Sequence, residues 1–216
     1  MDNILQQLLI LIEKGNVEHR CAALLVLGAL KLQNPAIMKT VGAILDHPNP
    51  VLKDFALRYF EEVQPKAGIS LLLKFLEEPD KEMQERTVRL LGRAGQAAVA
   101  PLLQRAPGAS RVWQLNAARV LCSVRGKAVW QGLLRMLLSG TDEFNKAVCD
   151  LMTPAMREMD PKEQELLYAE VEAFAATLEV KQQRAAAVSA IRLLGQLGRP
   201  RARRSEERRV GKECRL

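Results

Sequence analysis

Residues 86 to 92 read Arg-Thr-Val-Arg-Leu-Leu-Gly, and residues 187 to 195 read Ala-Val-Ser-Ala-Ile-Arg-Leu-Leu-Gly. Each run is the second half of an apolar helix that stops near a glycine. Related runs end at Gly28 and Cys122, and weaker copies end at Phe60 and Thr153. The six end points are 30 to 42 residues apart, which is room for two short helices and their turns. The chain therefore consists of internal repeats.

Six helix pairs follow from the spacing of the apolar residues and from the turn residues between them. Asn34-Pro35, Asn49-Pro50 and Asp160-Pro161 each place a capping side chain before a proline that suits the first helical turn. No stretch has the strict alternation of a strand. The sequence predicts an all-α solenoid of stacked pairs. The predicted pairs are 2–14 with 17–32, 35–46 with 50–63, 67–78 with 81–94, 97–105 with 111–124, 128–138 with 143–156, and 161–178 with 181–197.

The runs Leu90 to Gly95, continued by Ala97 to Leu103, and Leu193 to Arg201 resemble the HEAT repeat family. The resemblance is strongest to the short bacterial HEAT-like repeats that also occur in phycobilisome lyase-type proteins, and it covers residues 1–203. It implies a right-handed α-α superhelix of the HEAT and armadillo type, with the second helix of each pair on the concave surface. Gly198-Arg199-Pro200 looks like the opening of a further repeat, which suggests that the solenoid is truncated. The family's usual glycine is replaced by Phe60, Cys122 and Thr153.

Residues 204–216 differ from the rest of the chain. Arg204 to Cys214 closely resembles an in-frame translation of a sequencing adapter, so we expect a disordered, non-native tail. Residues 199–216 carry +5 of the formal net charge of +7, which leaves +2 for residues 1–198. A nearly neutral body gives no general argument for binding nucleic acid or an anionic membrane.

Composition narrows the class of protein further. The longest stretch without a charged residue, Ala94 to Gln104, is far shorter than the roughly 18 residues of a membrane span. The N-terminus lacks a secretory signal pattern. The cysteines are widely separated, which favours reduced core thiols, and we expect a cytoplasmic protein. These are Cys21, Cys122, Cys149 and Cys214.

Signatures of catalysis and of metal or cofactor binding are missing from the sequence. It has no phosphate-binding loop, no HExxH and no G-x-S-x-G. His19 and His47 have no neighbouring cysteine or second histidine, so surface or capping roles are expected for them. We predict a protein that is not an enzyme, with no catalytic, cofactor or metal residues and no small-molecule substrate.

The candidate binding residues come from the repeat register. Four charged residues lie three positions before the repeat end points, and Arg58 lies one position out of that register. Stacking would bring them to one face, where guanidinium groups could bind carboxylates or phosphates. The alternative is an ordinary solvated face. This set, called the ladder below, is Arg58, Arg89, Arg119, Asp150 and Arg192.

Two other features could contribute to binding. Trp113 and Trp130 could anchor a partner, although core packing is the simpler interpretation. Pro154 should kink or end its helix. Irregular repeats often mark binding sites, so residues 150–165 are a second candidate region.

Three functions are compatible with these observations. The first is a non-catalytic scaffold that binds a protein, with acidic groups opposite the ladder, through the concave surface. Resemblance to phycobilin lyases suggests a lyase-like or chaperone-type subunit as an alternative. Nucleic-acid binding by the ladder is another, but the near-neutral body and Asp150 argue against it.

Overall fold

The computed structural model describes residues 2–63 and 65–198. Within them the chain forms α-helices joined by short turns, with no strand. The predicted all-α repeat fold is confirmed, and most boundaries agree with the prediction to within three residues. The helices are α1 (Asp2–Lys14), α2 (Val17–Ala29), α3 (Pro35–Leu45), α4 (Pro50–Glu62), α5 (Ile69–Leu72), α6 (Lys81–Ala94), α7 (Gln96–Arg105), α8 (Arg111–Val124), α9 (Lys127–Leu138), α10 (Asp142–Arg157), α11 (Pro161–Ala176) and α12 (Arg184–Leu197).

Polar side chains start most of these helices. The Asn34 side chain accepts a hydrogen bond from the backbone N–H of Ile37 at 2.8 Å, and Asn49 accepts one from Val51 at 2.9 Å. The Asp160 carboxylate accepts from the backbone N–H groups of Lys162 and Glu163. These bonds satisfy donors that have no partner inside the helix.

The helices divide into two compact units, residues 1–104 and residues 105–216. In the first unit α2 packs on α4, and α4 packs on α6. In the second unit α8 packs on α10, and α10 packs on α12. In each unit the second helices of consecutive pairs therefore stack on one another, which buries the apolar faces that a single pair leaves open.

One predicted helix is broken. In place of a continuous helix over 67–78, a 3₁₀ turn (Pro65–Gly68) leads into the single α-helical turn of α5, and a second 3₁₀ segment (Leu73–Glu77) follows. A Cβ atom on Gly68 would lie 2.2 Å from Cε1 of Phe60, so the backbone passes directly over that ring and only glycine fits. Packing against Phe60 outweighs the regular helix that the apolar spacing favours.

Pro154 does not end its helix, contrary to one outcome expected from the sequence. Helix α10 continues to Arg157, and Ala155 and Met156 after the proline are buried. Proline removes one backbone donor, but the buried side chains beyond it hold the last turn in place.

The thiols predicted to be in the core are there, since Cys21, Cys122 and Cys149 are buried and free. Cys214, the whole 204–216 tail and most of the Gly198-Arg199-Pro200 motif lie outside the described residues. None of the helices within 2–63 and 65–198 combines the length and the hydropathy of a membrane span.

Candidate functional site

Counting from the N-cap puts the second helices into one register. The caps are Asn16, Asn49, Asp80, Ser110, Thr141 and Gln183. The ninth residue after each cap is Leu25, Arg58, Arg89, Arg119, Asp150 and Arg192. Arg58 is thus in register with the rest of the ladder, and the residue equivalent to Gly28 and Gly92 in the second repeat is Glu61 rather than Phe60. We call the surface that carries these ninth positions in each unit the second-helix face.

All five ladder side chains are exposed, but their charges are not all available. Arg58 forms an ion pair with Asp54 at 3.0 Å, and its guanidinium lies over the Phe55 ring. Arg192 lies 3.5 Å from Asp150. The expected basic stripe is therefore partly neutralised inside each unit.

The remaining members of the ladder belong to different units. Arg119, in unit 2, donates to the side-chain oxygen of Asn116 at 3.3 Å. Arg89 is exposed on α6 in unit 1. Within each unit the structure brings ladder residues onto stacked helices, as the repeat register predicts.

Trp113 is not on this surface. Its side chain is 0% exposed in the core of unit 2, with the Arg105 guanidinium 5.6 Å from the ring centroid. Its inclusion among the partner-binding residues is corrected accordingly, because a tryptophan at this core-facing position buries its whole ring. Trp130 is 4% exposed and likewise packs inside.

A cleft of about 470 Å³ lies on the second-helix face of unit 1. Helices α2, α4 and α6 all contribute to it. Its apolar surface comes from Leu24, Leu25 and Tyr59, and Leu25 is 48% exposed. Its charged lining consists of Asp54, Arg58, Glu61, Glu62, Glu82 and Arg86.

Arg86 fixes one wall of this cleft. The side chain is only 9% exposed and forms ion pairs with Asp54 and with Glu61, the latter at 2.8 Å. Burial is the largest single influence on the pKa of Arg86 and lowers it. The hydrogen bonds that the guanidinium donates to the two carboxylates, together with their negative charges, outweigh burial and raise this pKa. Helices α4 and α6 are thereby joined by a partly buried charge network.

Carboxylates outnumber guanidinium groups in the cleft by four to two. Asp54 and Glu61 form ion pairs with arginines, and Glu62 and Glu82 are exposed at the edge of the cleft. The net charge of the cleft lining is therefore negative, whereas the ladder led us to expect a positive surface. A cationic group with an aliphatic stem is the chemical complement of Glu62, Glu82 and Leu25.

Sequence reasoning missed this network. A signal was present, because Arg86 falls among Met83, Thr87 and Leu90, whose spacing marks the buried side of α6. A charged residue at such a position requires a partner charge. The spacing of Asp54 and Arg58 also fits an ion pair on one helix.

A second cleft, of about 410 Å³, lies in unit 2 at the end of α10. Thr153, Met156, Arg157 and Gln164 contribute to it, and all four fall within the predicted region 150–165. The Thr153 hydroxyl is 3.0 Å from the side-chain oxygen of Gln196 on α12. The irregular repeat thus coincides with a concave surface.

The histidines have the local roles expected of them. His47 Nδ1 accepts a hydrogen bond from the backbone N–H of Asn49 at 3.1 Å, and His19 is exposed. In the parts of the chain that the structure describes, no three His, Cys, Asp or Glu residues are grouped as a metal site.

Comparison with known proteins identifies the repeat type. Residues 38–122 match the family of HEAT repeats. No curated protein matches the chain significantly. A solved structure of a designed armadillo repeat protein, YIII(Dq)4CqI, is similar at 15% identity, covering 89% of this chain and 99% of that chain with a TM-score of 0.41. Residues 38–122 therefore carry HEAT-type repeats, and the described helices around them form an all-α repeat fold.

Proposed function

We propose that this chain is a non-catalytic, cytoplasmic bacterial scaffold that binds a protein partner through its second-helix face. The observation that carries the proposal is the cleft over α2, α4 and α6, which combines a half-exposed leucine with charged side chains held in fixed positions. Interfaces depend on such preformed features, because little conformational entropy is lost when a partner binds.

The chemistry of the cleft specifies the segment that it would bind. Leu25 offers apolar surface, and the exposed carboxylates of Glu62 and Glu82 offer negative charge. A partner segment with an apolar anchor flanked by lysine or arginine complements both. Arg86 keeps Asp54 and Glu61 in place, so the cleft exists before the partner arrives.

We also propose that two ladder arginines, Arg89 and Arg119, bind acidic groups of the partner. Arg89 and Arg119 are exposed, and carboxylates are their natural complement. The pairing of Arg58 with Asp54 and of Arg192 with Asp150 favours a protein partner over nucleic acid, since these arginines already have carboxylate partners.

The test compares charge reversals by quantitative affinity capture of the tagged chain from its source cells. Glu62→Lys with Glu82→Lys should remove the captured partner, whereas Lys39→Glu, an exposed reversal on α3, should leave it bound. The same comparison with Arg89→Glu in unit 1, and separately with Arg119→Glu in unit 2, tests whether each arginine binds an acidic group of the partner. Equal capture by all variants would refute binding through the second-helix face.

A further inference from the structure

Arg58 is the exposed arginine of the cleft in unit 1, and its guanidinium lies against two other groups of α4. Its Nε lies 3.0 Å from Asp54 Oδ2, and its Cζ lies 5.1 Å from the centroid of the Phe55 ring. A carboxylate beside an aromatic face attracts a guanidinium in two ways, by ion pairing and by a cation–π contact. We call Asp54 Oδ2 and the Phe55 ring together the arginine site.

The two carboxylate oxygens of Asp54 contact different arginines. Oδ1 accepts a hydrogen bond from the buried Arg86, which joins α4 to α6. Oδ2 faces Arg58, whose side chain is 53% exposed. The carboxylate is thus fixed by one arginine, while the arginine that occupies the site lies at the surface.

The contacts that hold Arg58 in the site are weak. An exposed ion pair between residues four apart on one helix changes an equilibrium by roughly twofold, because water screens the charges and the long side chain loses rotamer freedom. A guanidinium of another molecule that brings further contacts with it can therefore displace Arg58 into solvent.

The apolar surface of the cleft offers such a further contact. Leu25 and Arg58 occupy the same position of α2 and α4, which pack on each other, and both line the cleft. Packed helix axes are about 8 to 10 Å apart, and an extended segment repeats its side chains on one side about every 7 Å. A segment with an apolar residue two positions from an arginine therefore reaches Leu25 and the arginine site together.

We propose that the partner supplies an arginine that displaces Arg58 from the arginine site. The site is part of the proposed protein-binding surface, and its role rests on that function. Arginine is favoured over lysine, because a planar guanidinium stacks on a ring while it pairs with a carboxylate. Arg58 then competes with the partner and lowers its affinity, whereas the ladder led us to expect that Arg58 itself binds an acidic group.

Peptide binding to the whole chain tests this role. The probe is acetyl-Arg-Gly-Leu-Gly-Arg-amide, which carries an arginine two positions from leucine on either side, so that it fits in both directions. Two counterparts carry lysine or the neutral isostere citrulline in place of arginine. Titrations followed by the backbone amide NMR signals give the dissociation constants and locate the contact on the chain.

Arg58→Ala empties the arginine site and should bind the arginine peptide about threefold to tenfold more tightly than the wild type. The affinity for the citrulline peptide should change by less than about twofold, because that peptide has no charge to pair. Arg93→Ala is the matched control, since it removes the same charge from an exposed residue in the last turn of α6. Its affinity for the arginine peptide should stay within about twofold of the wild type.

Phe55→Leu, combined with Arg58→Ala, separates the two parts of the site. It keeps apolar bulk but removes the ring, so the preference for the arginine peptide over the lysine peptide should fall by at least about twofold. Circular dichroism checks that the double variant folds. Arg58→Ala alone still decides the proposal if it does not, because alanine suits an exposed helical position.

Three results would overturn the proposal. The first is that Arg58→Ala binds the arginine peptide no more tightly than Arg93→Ala does, since Arg58 would then not compete with the peptide. The second is weaker binding by Arg58→Ala than by the wild type, and the third is an equal gain for the citrulline peptide. None of them affects the capture experiment with Glu62→Lys and Glu82→Lys, because those variants keep Arg58, and equal capture there would refute the proposed function whatever the peptides show.

Discussion

Replacing Arg86 should destabilise unit 1 because its guanidinium is buried and bonded to two carboxylates on α4. A charge-assisted hydrogen bond contributes about 1.5 to 3 kcal/mol when shielded from water. Asp54 and Glu61 are 28% and 36% exposed, so solvation of the released carboxylates offsets part of that. We expect Arg86→Met to lower the free energy of unfolding by about 2 kcal/mol.

Arg86→Ala should cost about 1 kcal/mol more than Arg86→Met, because it also removes the buried aliphatic stem. Urea denaturation followed by circular dichroism measures both changes, and a loss of about 2 kcal/mol moves the midpoint by about 1 M. Both tryptophans lie in unit 2, so their fluorescence follows residues 105–216 rather than the site of the change. Glu62→Gln, at the exposed edge of the same cleft, is the control and should have little effect.

The reasoning would be refuted by an Arg86→Met protein within about 0.5 kcal/mol of the wild type, the scatter typical of surface substitutions. Such a result would mean that the two carboxylates are as well solvated without Arg86 as they are paired with it. A charge-neutral triple variant, Arg86→Met with Asp54→Asn and Glu61→Gln, separates the two contributions. It should regain part of the lost stability, because no unpaired carboxylate remains.

Three further changes test other parts of the fold. Burial raises the pKa of Tyr59 to about 12. The folded state therefore holds the phenol proton more tightly than the unfolded chain does. The stability that this proton contributes is complete below pH 10 and is lost as the pH rises towards 12. The melting temperature of the wild type should fall across this pH range, and the melting temperature of Tyr59→Phe should fall less steeply. Gly195→Ala should stabilise the fold by up to about 1 kcal/mol, because the site is helical and no described residue lies within 4 Å of an added Cβ. Gly95→Ala should destabilise the fold by at least about 1 kcal/mol, because φ is +62° there. Thermal melts of the two variants would contradict this if both changes had the same sign. Pro154→Ala should raise the free energy of unfolding by about 1 to 2 kcal/mol, because the helix already continues through the proline. An unchanged urea midpoint would contradict this and show that the restored backbone donor does not stabilise the last turn.

The repeat architecture and most helix boundaries could be read from the sequence, because they depend on local signals. Caps such as Asn34 and Asn49 act on the next turn, and apolar spacing acts within one helix. The exceptions were segments where a distant contact decides. Gly68 passes over the Phe60 ring, which breaks the predicted helix 67–78, and buried residues after Pro154 keep α10 intact.

The candidate site depended much more on tertiary structure. The sequence placed four ladder residues at equivalent positions of the second helices and Arg58 one position out. Counting from the Asn49 cap corrects this and brings Arg58 into the same register. The sequence did not show that Asp54 and Asp150 neutralise Arg58 and Arg192, or that Trp113 is completely buried. The Asp54–Arg58 pair lies within one helix, so its spacing was visible in the sequence. The Asp150–Arg192 pair and the burial of Trp113 depend on which side chains the packed helices bring within a few ångströms.

By itself, then, the amino-acid sequence determined the repeat, most of the secondary structure and the helices that carry the ladder residues. Helix formation and capping are short-range interactions, and each repeat carries them in full. The tertiary structure alone decided the net charge of the cleft and the complete burial of Trp113. Ion pairing and burial depend on residues that lie about 25 to 40 positions away in the chain and belong to another repeat. The sequence of one repeat does not specify which of those residues will be its neighbours.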